Sequence, residues 1–255
     1  MIDQGLFYVF FLIFVFIASA SLGSFGNVII YRLPQNKSIV NPPSRCIHCG
    51  VKLKAKELLP LISYVCLMGK CSGCKEKISP RYFIVELLTG LYVLGAILHF
   101  GLSYEFVTVS ILGVLLIIIV GIDLEHQRIP NVLVLICLLF GLLFQVTGIL
   151  NDSWRESLIG FAVGGAFMLL IFIVSKGGMG AGDVKLIAVL GFYVGFPDII
   201  MLVMLSFIIG AIMGIITLIL RKGSRKKAIP FAPFIAMGTI LTLFWGEQIM
   251  KWYLG

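Results

Sequence analysis

The sequence predicts an all-α polytopic membrane protein of about eight transmembrane helices, one of them short, with a small cytoplasmic loop domain between helices 1 and 2. Three observations predict it. Hydrophobic residues make up 60% of the 255 residues and charged ones 13%, with a mean hydropathy of +1.08, which excludes an ordinary soluble domain. The apolar residues gather in runs near the ~20 residues needed to cross a hydrocarbon core of about 30 Å. Lys and Arg collect in alternate connections between those runs, the pattern that orients a multi-span chain.

The runs fall at residues 5–30, 82–100, 106–122, 131–149, 157–175, 183–195, 198–220 and 231–250. The first has no Lys or Arg ahead of Arg32, so it reads as a retained span and not as a cleaved signal peptide. It closes on Tyr31-Arg32-Leu33-Pro34, where proline stops the helix and Tyr and Arg suit the interface. The sixth run lies between a glycine-rich break and Gly195-Phe196-Pro197 and is too short to span comfortably at about 1.5 Å per residue. It is expected to pack inside the bundle. Three glycine pairs, Gly160 with Gly164, Gly191 with Gly195 and Gly210 with Gly214, read as points of close helix approach. The chain divides into residues 1–31 as the first span, 32–81 as the loop, and 82–255 as the membrane domain expected to carry the chemistry.

Residues 32–81 hold ten Lys and Arg against only Glu57 and Glu76, which places the loop in the cytoplasm and the N-terminus outside. Counting spans onward leaves all of the 20 Lys and Arg inside except Arg155 and Lys251, the cluster Arg221, Lys222, Arg225, Lys226 and Lys227 included. The net charge of +8 thus follows from topology and from attraction to anionic head groups, and calls for no nucleic-acid partner.

The loop has too few apolar residues for a core of its own, and modules of this size need a staple. Cys46-Ile47-His48-Cys49 and Cys71-Ser72-Gly73-Cys74 are two C-x-x-C knuckles separated by 21 residues, near the four-cysteine zinc spacing. Cys46, Cys49, Cys71 and Cys74 are therefore expected to hold structural Zn2+, since tetrahedral zinc takes four thiolates. Disulfides suit a reducing compartment poorly, and redox-active thiols are the other alternative. Cys66 and Cys137 read as buried small hydrophobes, and His48 as a surface residue.

Two carboxylates stand out in the membrane domain. Asp123 is the first charge after 17 uncharged residues, at the inner end of the third span. Asp183 follows Gly177-Gly178-Met179-Gly180-Ala181-Gly182, a stretch that propagates a helix poorly, and begins the sixth run on the same side. The local reading of Asp183 is a helix cap. The catalytic reading pairs it with Asp123, because two close carboxylates share one proton and can activate a water.

These residues resemble a known family. Gly180-Ala181-Gly182-Asp183 matches the GxGD motif of intramembrane aspartyl proteases, in a setting similar to the bacterial type IV prepilin peptidases, which are leader peptidases and N-methyltransferases. The likeness runs through Gly23-Ser24-Phe25 with Asn27, Tyr31-Arg32-Leu33-Pro34, the four cysteines, Arg81-Tyr82 with Val85-Glu86, Asp123 with Ile129-Pro130-Asn131, and Gly178 to Lys185. It implies Asp123 and Asp183 as the catalytic pair, with Gly180, Gly182 and Lys185 supporting the loop between them. It also implies cleavage of a basic leader from prepilins or pseudopilins at the cytoplasmic face of a bacterial inner membrane, in pilus assembly, type II secretion or competence. S-adenosylmethionine-dependent methylation of the new N-terminus is implied as well. The chain shows no G-x-G-x-x-G on a strand, so a methyltransferase site is expected at the loop and the end of the first span, around Asn27, Arg32 and Glu86. The bland alternative for Glu86 is a carboxylate near the membrane surface, and Glu125, His126 and Arg128 read as interface residues.

Two other classes compete. A transporter or channel would use the Asp pair as an ion site at the bilayer midplane, but both aspartates fall at the inner edge. A docking scaffold built on the loop leaves the pair unexplained. Archaeal preflagellin peptidases, also GxGD enzymes, typically lack the cysteine loop.

Overall fold

The computed structural model describes residues 2–150, 153–176, 178–220 and 229–254, and forms two compact units, Met1–Phe106 and Val107–Gly255. Gly177 and the basic cluster Arg221, Lys222, Arg225, Lys226 and Lys227 lie outside the described residues. The described residues contain helices and short turns, with only isolated bridges Arg45 to Lys52 and Lys70 to Lys77 in extended pairing.

In the first unit, α1 (Ile2–Arg32) packs along α3 (Pro80–Phe100). Helix α1 gives way at Arg32 to a 3-10 turn, Leu33–Gln35, because Pro34 has no N–H to continue the ladder. Helix α3 starts where Ser79 accepts the N–H of Arg81 and Pro80 takes the first helical position, which proline fits. The two helices touch at Gly23, where a Cβ would stand 2.9 Å from the Glu86 Cα and from the Thr89 hydroxyl. Between them the loop forms the five-residue α2 (Ile62–Cys66) and two cysteine knuckles.

The second unit holds α4 (Tyr104–His126) from Val107 onward, α5 (Asn131–Val146), α6 (Trp154–Val174), α7 (Ala181–Val194), α8 (Asp198–Leu220) and α9 (Ala232–Leu254). Helix α7 has only 14 residues, about 21 Å, and is buried from Leu186 to Val194 against α5, α6, α8 and α9. The short helix is the interior of the unit. Its crossing with α6 is a backbone contact: a Cβ on Gly160 would run into the Gly191 carbonyl, and one on Gly191 into that of Gly160. Gly164 sits against Ile199 and Ile187, and Gly210 against Phe231 and Phe234. Gly214 differs from expectation, with no atom within 4 Å of its Cβ position, so it makes no close contact among the described residues.

Among the described residues, α1, α3, α4, α6 and α8 are long and apolar enough to cross a membrane. Of the other three expected spans, α5 has 16 residues and α7 14, while α9 has 23 but carries Glu247, Gln248 and Lys251 in its second half. The outward surfaces of the helices are apolar, as at Phe7, Leu88, Leu170 and Ile215, and suit lipid as the solvent.

Candidate active site and metal centre

Asp123 lies in the last turn of α4 and Asp183 in the first turn of α7, both in the second unit. They are buried, at 5% and 7% exposure, and near enough to interact electrostatically. Each accepts one backbone N–H. Asp123 Oδ2 takes that of Ala232, the first residue of α9, at 3.1 Å. Asp183 Oδ2 takes that of Gly180 at 3.2 Å. Gly180 is the N-cap residue and Asp183 the third helical position, so the aspartate caps α7 by reaching back, not from the cap position itself.

The glycines make room for this arrangement. A Cβ on Gly182 would stand 2.8 Å from the Ile129 Cβ, so the glycine-rich turn closes directly onto the connector between α4 and α5. A Cβ on Gly180 would stand 3.0 Å from Asp183 Oδ2. Lys185 is exposed, and its Nζ donates to Asn131 Oδ1 at 3.0 Å, tying the first turn of α7 to the first residue of α5. The bond from Ala232 to Asp123 and the contact of Ile129 with Gly182 are additions to the sequence reading. The signal for Ala232 was slight: Pro230 and Pro233 bracket it and mark the start of a helix.

In the first unit the sulfurs of Cys46, Cys49, Cys71 and Cys74 lie within 4.8 Å of one another, with Cys46 to Cys74 and Cys49 to Cys71 each at 3.9 Å. Tetrahedral ligation at a Zn–S length of about 2.3 Å puts sulfurs about 3.8 Å apart, so the donor set fits one zinc-sized ion. The two knuckles share one hydrogen-bond pattern. Cys46 N–H donates to the Val51 carbonyl and Gly50 N–H to that of Cys46; Cys71 donates to Glu76 and Lys75 to Cys71. Gly50 and Lys75 both take positive φ, 71° and 61°, at the matching position. N–H groups of Cys74 and Gly73 on the Cys71 sulfur pull that thiol down to about 7. At Cys74 the Glu76 N–H opposes burial and the thiols of Cys49, Cys71 and Cys46, which together push it up to about 11. His48 is exposed and Cys137 is buried, as expected. Cys66 is not: it is exposed, because it ends the short α2, which is too brief to have a covered side all round.

Asn27, Arg32 and Glu86 line one cavity of about 580 Å3 in this unit, bounded by the end of α1, the start of α3 and the loop, with Tyr31 and Tyr82 in its wall. Asn27 is 1% exposed; its Nδ2 donates to the Tyr82 carbonyl at 3.0 Å, while its Oδ1 is buried with no partner among the described residues. Glu86 is buried and accepts the N–H of Leu61 at 2.8 Å. The Arg32 guanidinium donates to the Ser38 carbonyl at 3.0 Å.

Residues 17–100 match the bacterial peptidase A24 N-terminal domain, and residues 110–215 match the type IV leader peptidase family. A prepilin leader peptidase/N-methyltransferase of Stutzerimonas stutzeri is 35% identical over 91% of this chain and 90% of its own. The protein of that name from Bacillus subtilis is 35% identical over 94% of this chain and 96% of its own, and that of Aeromonas hydrophila 34% over 94% and 92%. The chain belongs to the type IV leader peptidase family. It is an aspartic leader peptidase in a helical membrane protein, and the transporter, channel and scaffold readings are not favoured. No solved structure matches the chain.

Proposed function

We propose that Asp123 and Asp183 are the catalytic pair of a prepilin or pseudopilin leader peptidase. The observation that carries this reading is the pair of buried carboxylates at the ends of α4 and α7, each held by one backbone N–H, with the charge of Asp123 acting on Asp183. With one proton shared between them, the ionised carboxylate takes a proton from water while the other donates to the scissile carbonyl oxygen. The tetrahedral intermediate then collapses as the proton gained from water passes to the leaving amide nitrogen, freeing the leader and a new N-terminal amine. Gly180 and Gly182 let the turn close, and Lys185 with Asn131 braces it. The charge distribution supports an N-terminus outside, an active site facing the cytoplasm, and a bacterial inner membrane as the setting.

Zinc is the metal that the four thiolates of Cys46, Cys49, Cys71 and Cys74 suit best, in a structural role that staples the loop. The names of the relatives include N-methyltransferase, and the cavity in the first unit is the site that suits S-adenosylmethionine. Its volume fits the range of small-molecule sites, about 300–1,000 Å3. The buried, unpartnered Asn27 Oδ1 is an acceptor for an N–H or hydroxyl of such a ligand, and Glu86 and Arg32 offer opposite charges for its ammonium and carboxylate. When bound, that cofactor supplies a methyl group on sulfonium for transfer to the new amine.

Purified protein incubated with a prepilin in detergent should remove the leader, and Asp123→Asn and Asp183→Asn should each lose cleavage by about 10²–10⁴-fold while metal content is unchanged. Normal cleavage by both variants refutes the assignment.

A further inference from the structure

Residues 58–69 carry no charge inside an otherwise lysine-rich loop, with Lys54, Lys56 and the acidic Glu57 ahead of them and Lys70 behind. The fold ties this stretch to a span: the Leu61 N–H donates to Glu86 Oε2 at 2.8 Å, and Glu86 is the seventh residue of α3. Six rises of about 1.5 Å put Glu86 about 9 Å along the axis from Pro80. The 21 residues of α3 measure about 31 Å, the thickness of one hydrocarbon core. Leu61 is therefore tied, through a side chain that leans back toward the helix start, to the first two turns of the span, near the depth where head groups meet acyl chains.

Two independent features suit that depth. Backbone donors near lipid must be satisfied internally. Leu61 donates to Glu86, and Ile62, Ser63, Val65, Leu67, Met68, Gly69 and Lys70 all donate to carbonyls of the same segment. The side chains also divide by face. Ser63, Tyr64 and Leu67 line the cavity, whereas Leu59, Ile62, Val65 and Met68 point away from it at 49%, 55%, 63% and 81% exposure. An apolar face with flanking lysines is the pattern of a segment lying in an anionic membrane surface.

We propose that residues 58–68 form an interfacial segment set into the lipid leaflet at the N-terminal end of α3, its outer face against acyl chains and its inner face walling the cavity. The lipid then supports one side of that cavity. This inference is independent of which ligand the cavity takes.

The test uses the full chain with Met68→Cys in a Cys66→Ser background, spin-labelled and reconstituted in nanodiscs of phosphatidylethanolamine and phosphatidylglycerol, with metal content confirmed. Oxygen should relax the label more than an aqueous nickel chelate does, at a depth of roughly 5–10 Å below the phosphates. Val40→Cys, at a site 75% exposed on the same loop, should give the reverse order. Nickel dominance at position 68 overturns the proposal. So does spin–spin broadening that vanishes on dilution with unlabelled protein, which would assign the face to a second copy. As a second readout, Ile62→Asp with Val65→Asp should raise amide exchange across residues 58–68 in nanodiscs with metal retained; unchanged exchange also overturns it.

Discussion

The backbone N–H of Ala232 donates to Asp123 Oδ2 across 109 residues of sequence, so the start of α9 holds one carboxylate of the proposed pair in place. A hydrogen bond to a charged group is worth about 1.5–3 kcal/mol. Ala232→Pro replaces the N–H with a ring methylene at a helix position that accepts proline, and should lower leader cleavage by roughly 10–150-fold. Ala232 is fully buried, so Ala232→Ser, which keeps the N–H at nearly the same size, controls for crowding and should stay near the parent rate. Equal losses in the two variants would mean sterics and not the hydrogen bond.

The contact of Gly182 with Ile129 is tight enough to be tested as a pair. Gly182→Ala forces its new methyl onto the Ile129 Cβ and should cost about 1–3 kcal/mol, seen as lost cleavage with the metal centre intact. Ile129→Gly, which removes that Cβ, should restore much of that loss when added to it, and a double-mutant cycle measures the coupling. Additive losses would show that the contact is not what limits the turn.

Glu86 lies in the other unit, with the cavity. Glu86→Gln keeps its shape and loses its charge, so methyl transfer from labelled S-adenosylmethionine should fall about tenfold or more, while leader cleavage continues. Loss of cleavage in parallel with methylation would assign Glu86 to the stability of the first unit instead.

Metal removal has a countable outcome. Before chelation Cys66 is the exposed thiol outside the cluster and Cys137 is buried. Stripping the metal should add the thiols of Cys46, Cys49, Cys71 and Cys74 to those that react with a thiol reagent, and should open the loop to proteolysis, because a module this small has little other core. Unchanged thiol titration would mean that the cluster holds no ion in the purified protein.

Much of the fold was legible because its signals are local. Span lengths, the proline that stops α1 at Arg32 and the short buried α7 are all written in runs of neighbouring residues. The cysteine cluster was legible for the same reason: a C-x-x-C spacing fixes each knuckle, and four sulfurs then have one way to converge. Local patterns also misled. Cys66 read as a buried small hydrophobe, yet its helix is five residues long, and Gly214 sits at a packing spacing with no atom of the described residues within 4 Å of its Cβ position.

The sequence by itself determined which segments are apolar, where the chain breaks, and that Asp123 and Asp183 lie at the ends of helices. The tertiary structure decided what those ends meet: Ala232 N–H on Asp123, Ile129 on Gly182, and Asn131 on Lys185. It also set Asn27 and Glu86 around one cavity, with the Leu61 N–H on Glu86. The physical reason is one of range. Hydropathy and capping act over a few residues, whereas each of these contacts joins helices through the packing of whole faces, which no single stretch of the chain encodes.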